Sequence, residues 1–319
     1  MSTTGEMRYR QFDAQTDLPW LASLLAAVEA ADHTGEDVRE QTLREQLAWP
    51  GHDPARDRWV AESTGTAAEL GSLIGYGALF KTTLGERADV YVAIHPDRRG
   101  QGVGAELLRR VVARARELGA TQLGAYAADH LTASDAFLRA RGFARVSAYT
   151  EMSIAGDTTF PAPQWPDGFT VRPYAAVQDA TIFLDTINRS YAGVWGHHTL
   201  TMEEALAWLP EVVAEGAFLL FAPDGAVAGI CRAEMSKRLS ERRGEPTGLV
   251  DAPGVVPERR SEGLYLPQTL HALGWLQRQT PAPAGLVLES WGDDPATLDL
   301  YTHIGFAVTH REVSYRLDL

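Results

Sequence analysis

The sequence predicts an α/β protein of the mixed-sheet, α+β kind, assembled from two tandem copies of one domain. Three observations carry this. An apolar strand pattern (Val90, Val92, Ile94) passes through a glycine-rich turn into an apolar helix pattern (Val103, Leu107, Leu108, Val111, Val112). Landmarks of the first half return 161 to 163 positions later. The 319 residues are 45% apolar, enough to bury two ordinary cores.

Taken in order, each half reads as a strand, helices, a strand meander, the glycine turn, a long helix, a strand, a short helix and a final strand. The first strand is Tyr9-Arg10-Gln11-Phe12, with Val171-Arg172-Pro173-Tyr174 as its counterpart. Glycine-bearing β-rich segments follow at 71–80 and 218–233. The second contains Pro223-Asp224-Gly225, a hairpin signal. On the strand leading into the turn, alternation sets Asp89, Tyr91 and Ala93 on one face and Val90, Val92 and Ile94 on the other. Amphipathic helical faces follow at 105–118 and 131–143. The pairs Phe137-Leu138 and Gly142-Phe143 recur as Leu300-Tyr301 and Gly305-Phe306. Between the copies, residues 156–167 are rich in proline and lack periodicity, which predicts a linker between domains at 1–155 and 168–319.

The turn carries the chemistry. In Ile94-His95-Pro96-Asp97-Arg98-Arg99-Gly100-Gln101-Gly102-Val103-Gly104-Ala105, a strand turns through glycines into a helix start. Unpaired N–H groups and the positive end of a helix dipole make an anion site suited to a pyrophosphate. Glycine lets backbone approach the oxygens without a Cβ in the way. A Walker loop fails, because no Lys-Ser or Lys-Thr follows the glycines and Lys81-Thr82 has no glycine set before it. A dinucleotide fingerprint is met by Gly100, Gly102 and Ala105, but His95 to Arg99 intervene and no acidic residue stands at 122–126. A plain surface turn before a helix is the remaining alternative.

The run Arg99-Gly100-Gln101-Gly102-Val103-Gly104, behind Ile94-His95-Pro96, resembles the acetyl-coenzyme A signature of the GCN5-related N-acetyltransferases (GNAT superfamily). Ser134, Phe137, Leu138, Gly142 and Phe143 resemble that family's later motif, and the duplicated layout resembles its mycothiol synthase group. The resemblance implies tandem acyl-CoA N-acyltransferase domains. It implies that Val92, Ala93 and Ile94 meet the pantetheine, while Arg99, Gly100, Gln101, Gly102, Val103, Gly104 and Ala105 cradle the diphosphate. It implies acetyl-CoA as cosubstrate and a small-molecule primary amine as acceptor. In many members a late-motif tyrosine protonates the departing thiolate; the matching residues here are Leu138 and Tyr301. Members often place a carboxylate on the strand before the turn, here Asp89 or Asp251. Asp89, Tyr91 and Tyr301 are therefore the expected catalytic residues. The loops 32–39 and 190–201 are expected to shape the acceptor pocket.

The copies have diverged. Gly100, Gln101 and Gly104 are replaced by Ser261, Glu262 and Tyr265, so a carboxylate and a ring enter the second phosphate path. Acetyl-CoA is expected in the first half, with the second closing the acceptor cleft or acting as a degenerate scaffold. Two alternatives stay open. Catalysis lies in the second half with Tyr301 as acid, or the chain binds acyl-CoA without turnover, since the intact turn lacks the tyrosine.

A net charge of −13 argues against nucleic acid and suits a cationic substrate. The lone Cys231 excludes an intrachain disulfide and reads as core. Neither H-E-x-x-H nor a cysteine pair is present, and the adjacent His197 and His198 point apart on one element, so no metal is expected. Trp195 and Trp291 read as core or interface residues, with pocket walls as the alternative, and His95 receives no role. The first residues lack a signal-peptide run, and no stretch approaches the ~18 apolar residues of a membrane helix. The expectation is a cytoplasmic protein without a membrane partner, either a monomer with an internal pseudo-dimer or a homodimer.

Overall fold

The computed structural model describes residues 7–47, 53–63, 72–81, 87–292 and 294–319. Residues 1–6, Gly71 and Thr82, on which the leader, meander and Walker-loop readings touch, lie outside them. The chain divides into two compact units, Met1–Val146 with Ser314–Leu319, and Ser147–Val313.

In the first unit the described elements run β1 (Met7–Gln11), α1 (Leu18–Asp32), α2 (Glu40–Leu47), β2 (Arg58–Ser63), β3 (Leu73–Lys81), β4 (Arg87–Ile94), α3 (Val103–Glu117), β5 (Gln122–Ala128), α4 (Thr132–Arg139) and the start of β6 (Ala144–Ala155). The sheet order is β1-β2-β3-β4-β5, antiparallel except for the parallel pair β4–β5. Leu18, Leu21, Leu24 and Leu25 form the buried stripe of α1, which packs with Phe12, Val60, Tyr76 and Ala93 on one face of the sheet. Val103, Leu107, Leu108, Val111 and Ala115 form the buried stripe of α3. The helix expected over 131–143 closes earlier. Gly142 takes φ 86° and the Phe143 amide turns back to the Leu138 carbonyl, a glycine-terminated helix end.

In the second unit, β6 is followed by β7 (Thr170–Pro173), α5 (Tyr174–Val177), α6 (Ala180–Ser190), α7 (Met202–Trp208), β8 (Ala217–Phe221), β9 (Val227–Met235), α8 (Lys237–Arg243), β10 (Thr247–Val255), α9 (Tyr265–Leu276), β11 (Gly285–Trp291), α10 (Pro295–His303) and β12 (Ala307–Asp318). The order is β6-β11-β10-β9-β8-β7. Leu270, Leu273 and Leu276 of α9 pack on Cys231, Val250, Leu286, Leu288, Met152, Tyr301 and Phe306.

The last strand of each repeat is shared out unevenly. From residue 147 onward β6 belongs to the second unit, where it pairs antiparallel with β11 from Tyr149↔Trp291 to Ala155↔Gly285. Residues 314–319 belong to the first, where the Leu319 amide donates to the Thr121 carbonyl at 2.9 Å. Residues 156–167 run as turn and coil. Gln277 Nε2 fastens their start by donating to the carbonyls of Gly156 (2.9 Å) and Thr158 (2.8 Å).

Candidate active site

The site begins where two strands part. Among the described residues the β4–β5 ladder runs from Arg87↔Gln122 to Asp89↔Gly124 and goes no further, while β4 stays paired with β3 as far as Gly75↔Ile94. Beyond Asp89, one edge of β4 therefore faces a widening gap. Half of the backbone groups of Val92, Ala93 and Ile94 lie on that edge, where an extended, amide-bearing arm can pair with them.

The turn that follows is open. Gly100 (φ 75°) and Gly102 (φ 85°) are left-handed, and a Cβ built on either would meet nothing within 4 Å. Gly102 caps α3 with no side-chain hydrogen bond, so the first amides of a 15-residue helix carry no capping side chain. The exposed Gln101 reaches back to the Asp97 carbonyl at 3.3 Å. Open space, positive backbone and a helix start together fit a diphosphate. Two residues expected in the cradle are placed differently within it. Arg99 donates to both Asp32 oxygens at 2.7 and 2.8 Å and to the Ile94 carbonyl at 3.3 Å, tying the turn to the end of α1. Gly104 faces the helix packing, because a Cβ there would sit 3.3 Å from Phe137 and 3.5 Å from Ile94.

Asp89 stands at the fork. Arg87 Nη2 donates to its Oδ1 at 2.9 Å, and the Tyr126 hydroxyl lies 3.4 Å from its Oδ2. Arg87 also donates to the Tyr126 hydroxyl. Tyr91 and Ala93 share a face, packed with the α1 cluster, whereas Ile94 lies on the α3 side against Gly75 and Gly104. The Tyr91 hydroxyl donates to Glu36 Oε2 at 3.3 Å. Asp89 and Tyr91 thus have separate partners. Burial pushes the Tyr91 hydroxyl pKa up, and the neighbouring Glu36 charge adds to this. Burial also raises the Glu36 carboxyl, with Glu29 and Asp32 adding to it against the Tyr91 hydrogen bond. Arg87, Tyr126 and Glu36 escape the sequence reading. The one signal for Glu36 was the run of carboxylates Asp32, Glu36 and Asp37 in the expected acceptor loop.

The second unit repeats the fork but not the turn. Its β10–β11 ladder ends at Asp251↔Glu289. Arg260 donates to the Val255 carbonyl at 3.2 Å, as Arg99 does to Ile94. Residues Pro257–Glu262 wind into a 3-10 helix, and only Gly263 (φ 70°) takes the left-handed form. Arg259 bonds Glu262 and Asp224. Asp251 pairs with Arg232. Tyr301 is 1% exposed, inside the α9 core. Burial raises its pKa, so the hydroxyl stays protonated. Cys231 is buried in the same core. Trp291 is 52% exposed and its ring lies 4.8 Å from that of Tyr149, so it is no core residue. His197 lies beside Tyr191, and His198 meets Glu204 at 3.4 Å. His95 accepts from the Asp97 amide at 3.3 Å.

Comparison with known proteins finds relatives across most of the chain. The profile of the acetyltransferase (GNAT) family matches residues 23–143. A mycothiol acetyltransferase of Thermomonospora curvata is 30% identical over 312 residues, covering 95% of each chain. One of Frankia casuarinae is 28% identical over 307 residues, covering 92% of this chain and 82% of the relative. Among solved structures, a GCN5-related N-acetyltransferase from Sphaerobacter thermophilus superposes with a TM-score of 0.69 at 21% identity, over 98% of this chain and 95% of its own. A tandem GNAT protein from the clavulanic acid biosynthesis pathway does so with a TM-score of 0.61 at 19% identity, over 98% of both chains.

Proposed function

Since the chain belongs to the GNAT family of acetyltransferases, we propose that it is a cytoplasmic, acetyl-CoA-dependent N-acetyltransferase acting on a primary amine of a small molecule. We place acetyl-CoA in the first unit. The observation that carries the placement is the open turn at Gly100 and Gly102, against the wound turn bearing Glu262 in the second copy.

When bound, acetyl-CoA supplies an activated acetyl thioester. The free edge of Val92, Ala93 and Ile94 bonds its amide-bearing arm, and the amides of residues 100–105 receive its diphosphate. Arg99 acts by pinning the turn to α1. Holding amine and thioester together supplies most of the rate gain, and a β4 amide on the carbonyl oxygen adds to it. Asp89 and Tyr91 line the fork on the acceptor side. The relatives' name makes the mycothiol acetyltransferase reaction the first to assay.

A second reading moves the chemistry to the second unit with Tyr301 as acid. The retained fork at Asp251↔Glu289 favours it, and the burial of Tyr301 weighs against it. Release of free CoA with a panel of amines tests the function. Loss of that release in Gln101→Glu supports the first-unit site, and its persistence there with loss in Tyr301→Phe supports the second.

A further inference from the structure

We infer that Glu36, on the loop joining α1 to α2, is the base that takes a proton from the acceptor ammonium; this rests on the N-acetyltransfer proposed above. Two carboxylates reach the acceptor side of β4, Asp89 and Glu36. Asp89 already holds Arg87 at 2.9 Å, and Tyr126 lies beside it. Around Glu36 the other acids are also engaged. Asp32 is bound by Arg99, and Asp37 by Arg39. Glu29 accepts from the amides of Thr34 (3.2 Å) and Gly35 (2.8 Å). Among the described residues Glu36 has no cationic partner and one neutral donor, the Tyr91 hydroxyl.

Its position suits the step. Tyr91 precedes Val92, whose edge borders the gap beyond the fork, so Glu36 is held at the part of β4 where the thioester arm lies. Along its side chain Glu36 is exposed, as a group meeting a soluble amine must be. Desolvation of its carboxyl end, with the charges of Glu29 and Asp32 adding to it against the Tyr91 hydrogen bond, raises its pKa and makes it a better base. The charged and titratable groups around it are Glu29 and Asp32 on α1, and Asp37 with Arg39 on the loop. Tyr91 faces it from the sheet with Tyr76 beside Tyr91, and Arg99 and His130 sit on Asp32.

In the step, Glu36 accepts one proton from the ammonium and frees the nitrogen lone pair. The nitrogen forms the C–N bond as the C–S bond breaks, and its second proton goes to the departing sulfur. Glu36 then returns its proton to water.

The test uses the full chain. Side-chain ¹³C-glutamate spectra, without acetyl-CoA, give the Glu36 titration, assigned by its absence in Glu36→Gln. The midpoint is expected above the ordinary glutamate value of about 4.3, and higher again in Tyr91→Phe. With acetyl-CoA and primary alkylamines, kcat/KM should rise with pH through that midpoint. Glu36→Gln should lower it about 10²–10⁴-fold and remove the limb while leaving acetyl-CoA binding intact. Asp89→Asn should keep the limb. A midpoint at or below about 4.3, or a limb that survives Glu36→Gln in a chain that binds acetyl-CoA, overturns Glu36 alone. A wild-type chain that binds no acetyl-CoA overturns the proposed function, and Glu36 with it.

Discussion

The Asp89 carboxylate lies directly over Gly124, so that a Cβ on Gly124 would come within 2.1 Å of Asp89 Oδ1 and 3.1 Å of Arg87 Nη2. The same two residues form the last rung between β4 and β5. An ion pair therefore caps the point at which the strands separate, and glycine is the residue on β5 that leaves room for it.

Gly124→Ala should accordingly destabilise the first unit by about 1–3 kcal/mol, because a short, paired carboxylate has little freedom to move aside. Adding Asp89→Ala should recover part of that loss. Denaturant unfolding of the two single variants and the double variant reads the coupling; strictly additive losses would show that the collision does not occur.

Tyr301→Phe removes a buried hydroxyl from the core of the second unit. The expected outcome is a loss of about 1 kcal/mol of stability with kcat unchanged. A large fall in kcat at unchanged stability would instead assign the chemistry to the second unit.

Asp17 is 2% exposed and accepts from Arg10 at 2.6 and 2.7 Å. Burial pulls its pKa upward, but the Arg10 hydrogen bonds and charge, with the Asp13 amide and the Thr16 hydroxyl, together outweigh that and hold it below the ordinary value. A carboxyl depressed in the folded state stabilises above its unfolded pKa, about 3.9, and that stability is lost as pH falls through the folded value. The wild type should lose stability below about pH 4 more steeply than Asp17→Asn. Parallel acid-unfolding curves would contradict this.

Local pattern accounts for what the sequence revealed. Alternation puts Tyr91 and Ala93 on one face, which packs against α1, and glycine spacing marks the open turn. What it missed is set by partners distant in the chain. Arg99 answers Asp32, 67 residues away, and Tyr91 answers Glu36, 55 residues away. No periodicity names such pairs. The pairing of β6 with β11 escaped for the same reason, since a period of two fixes a strand's faces but not its neighbour. A glycine at 104 signals close approach without saying to what, and here the approach is to Phe137.

The first turn alone is expected to hold acetyl-CoA. Calorimetric titration of the wild type, Gln101→Glu and Glu262→Gln tests it most directly. Gln101→Glu copies into the first turn the carboxylate that the second already carries, at an exposed position that leaves the fold unstrained. The expected result is one site per chain, weakened about tenfold by Gln101→Glu through charge at the helix start and unchanged by Glu262→Gln. Full affinity in Gln101→Glu, with binding altered by Glu262→Gln, would place the cosubstrate in the second unit and contradict the claim.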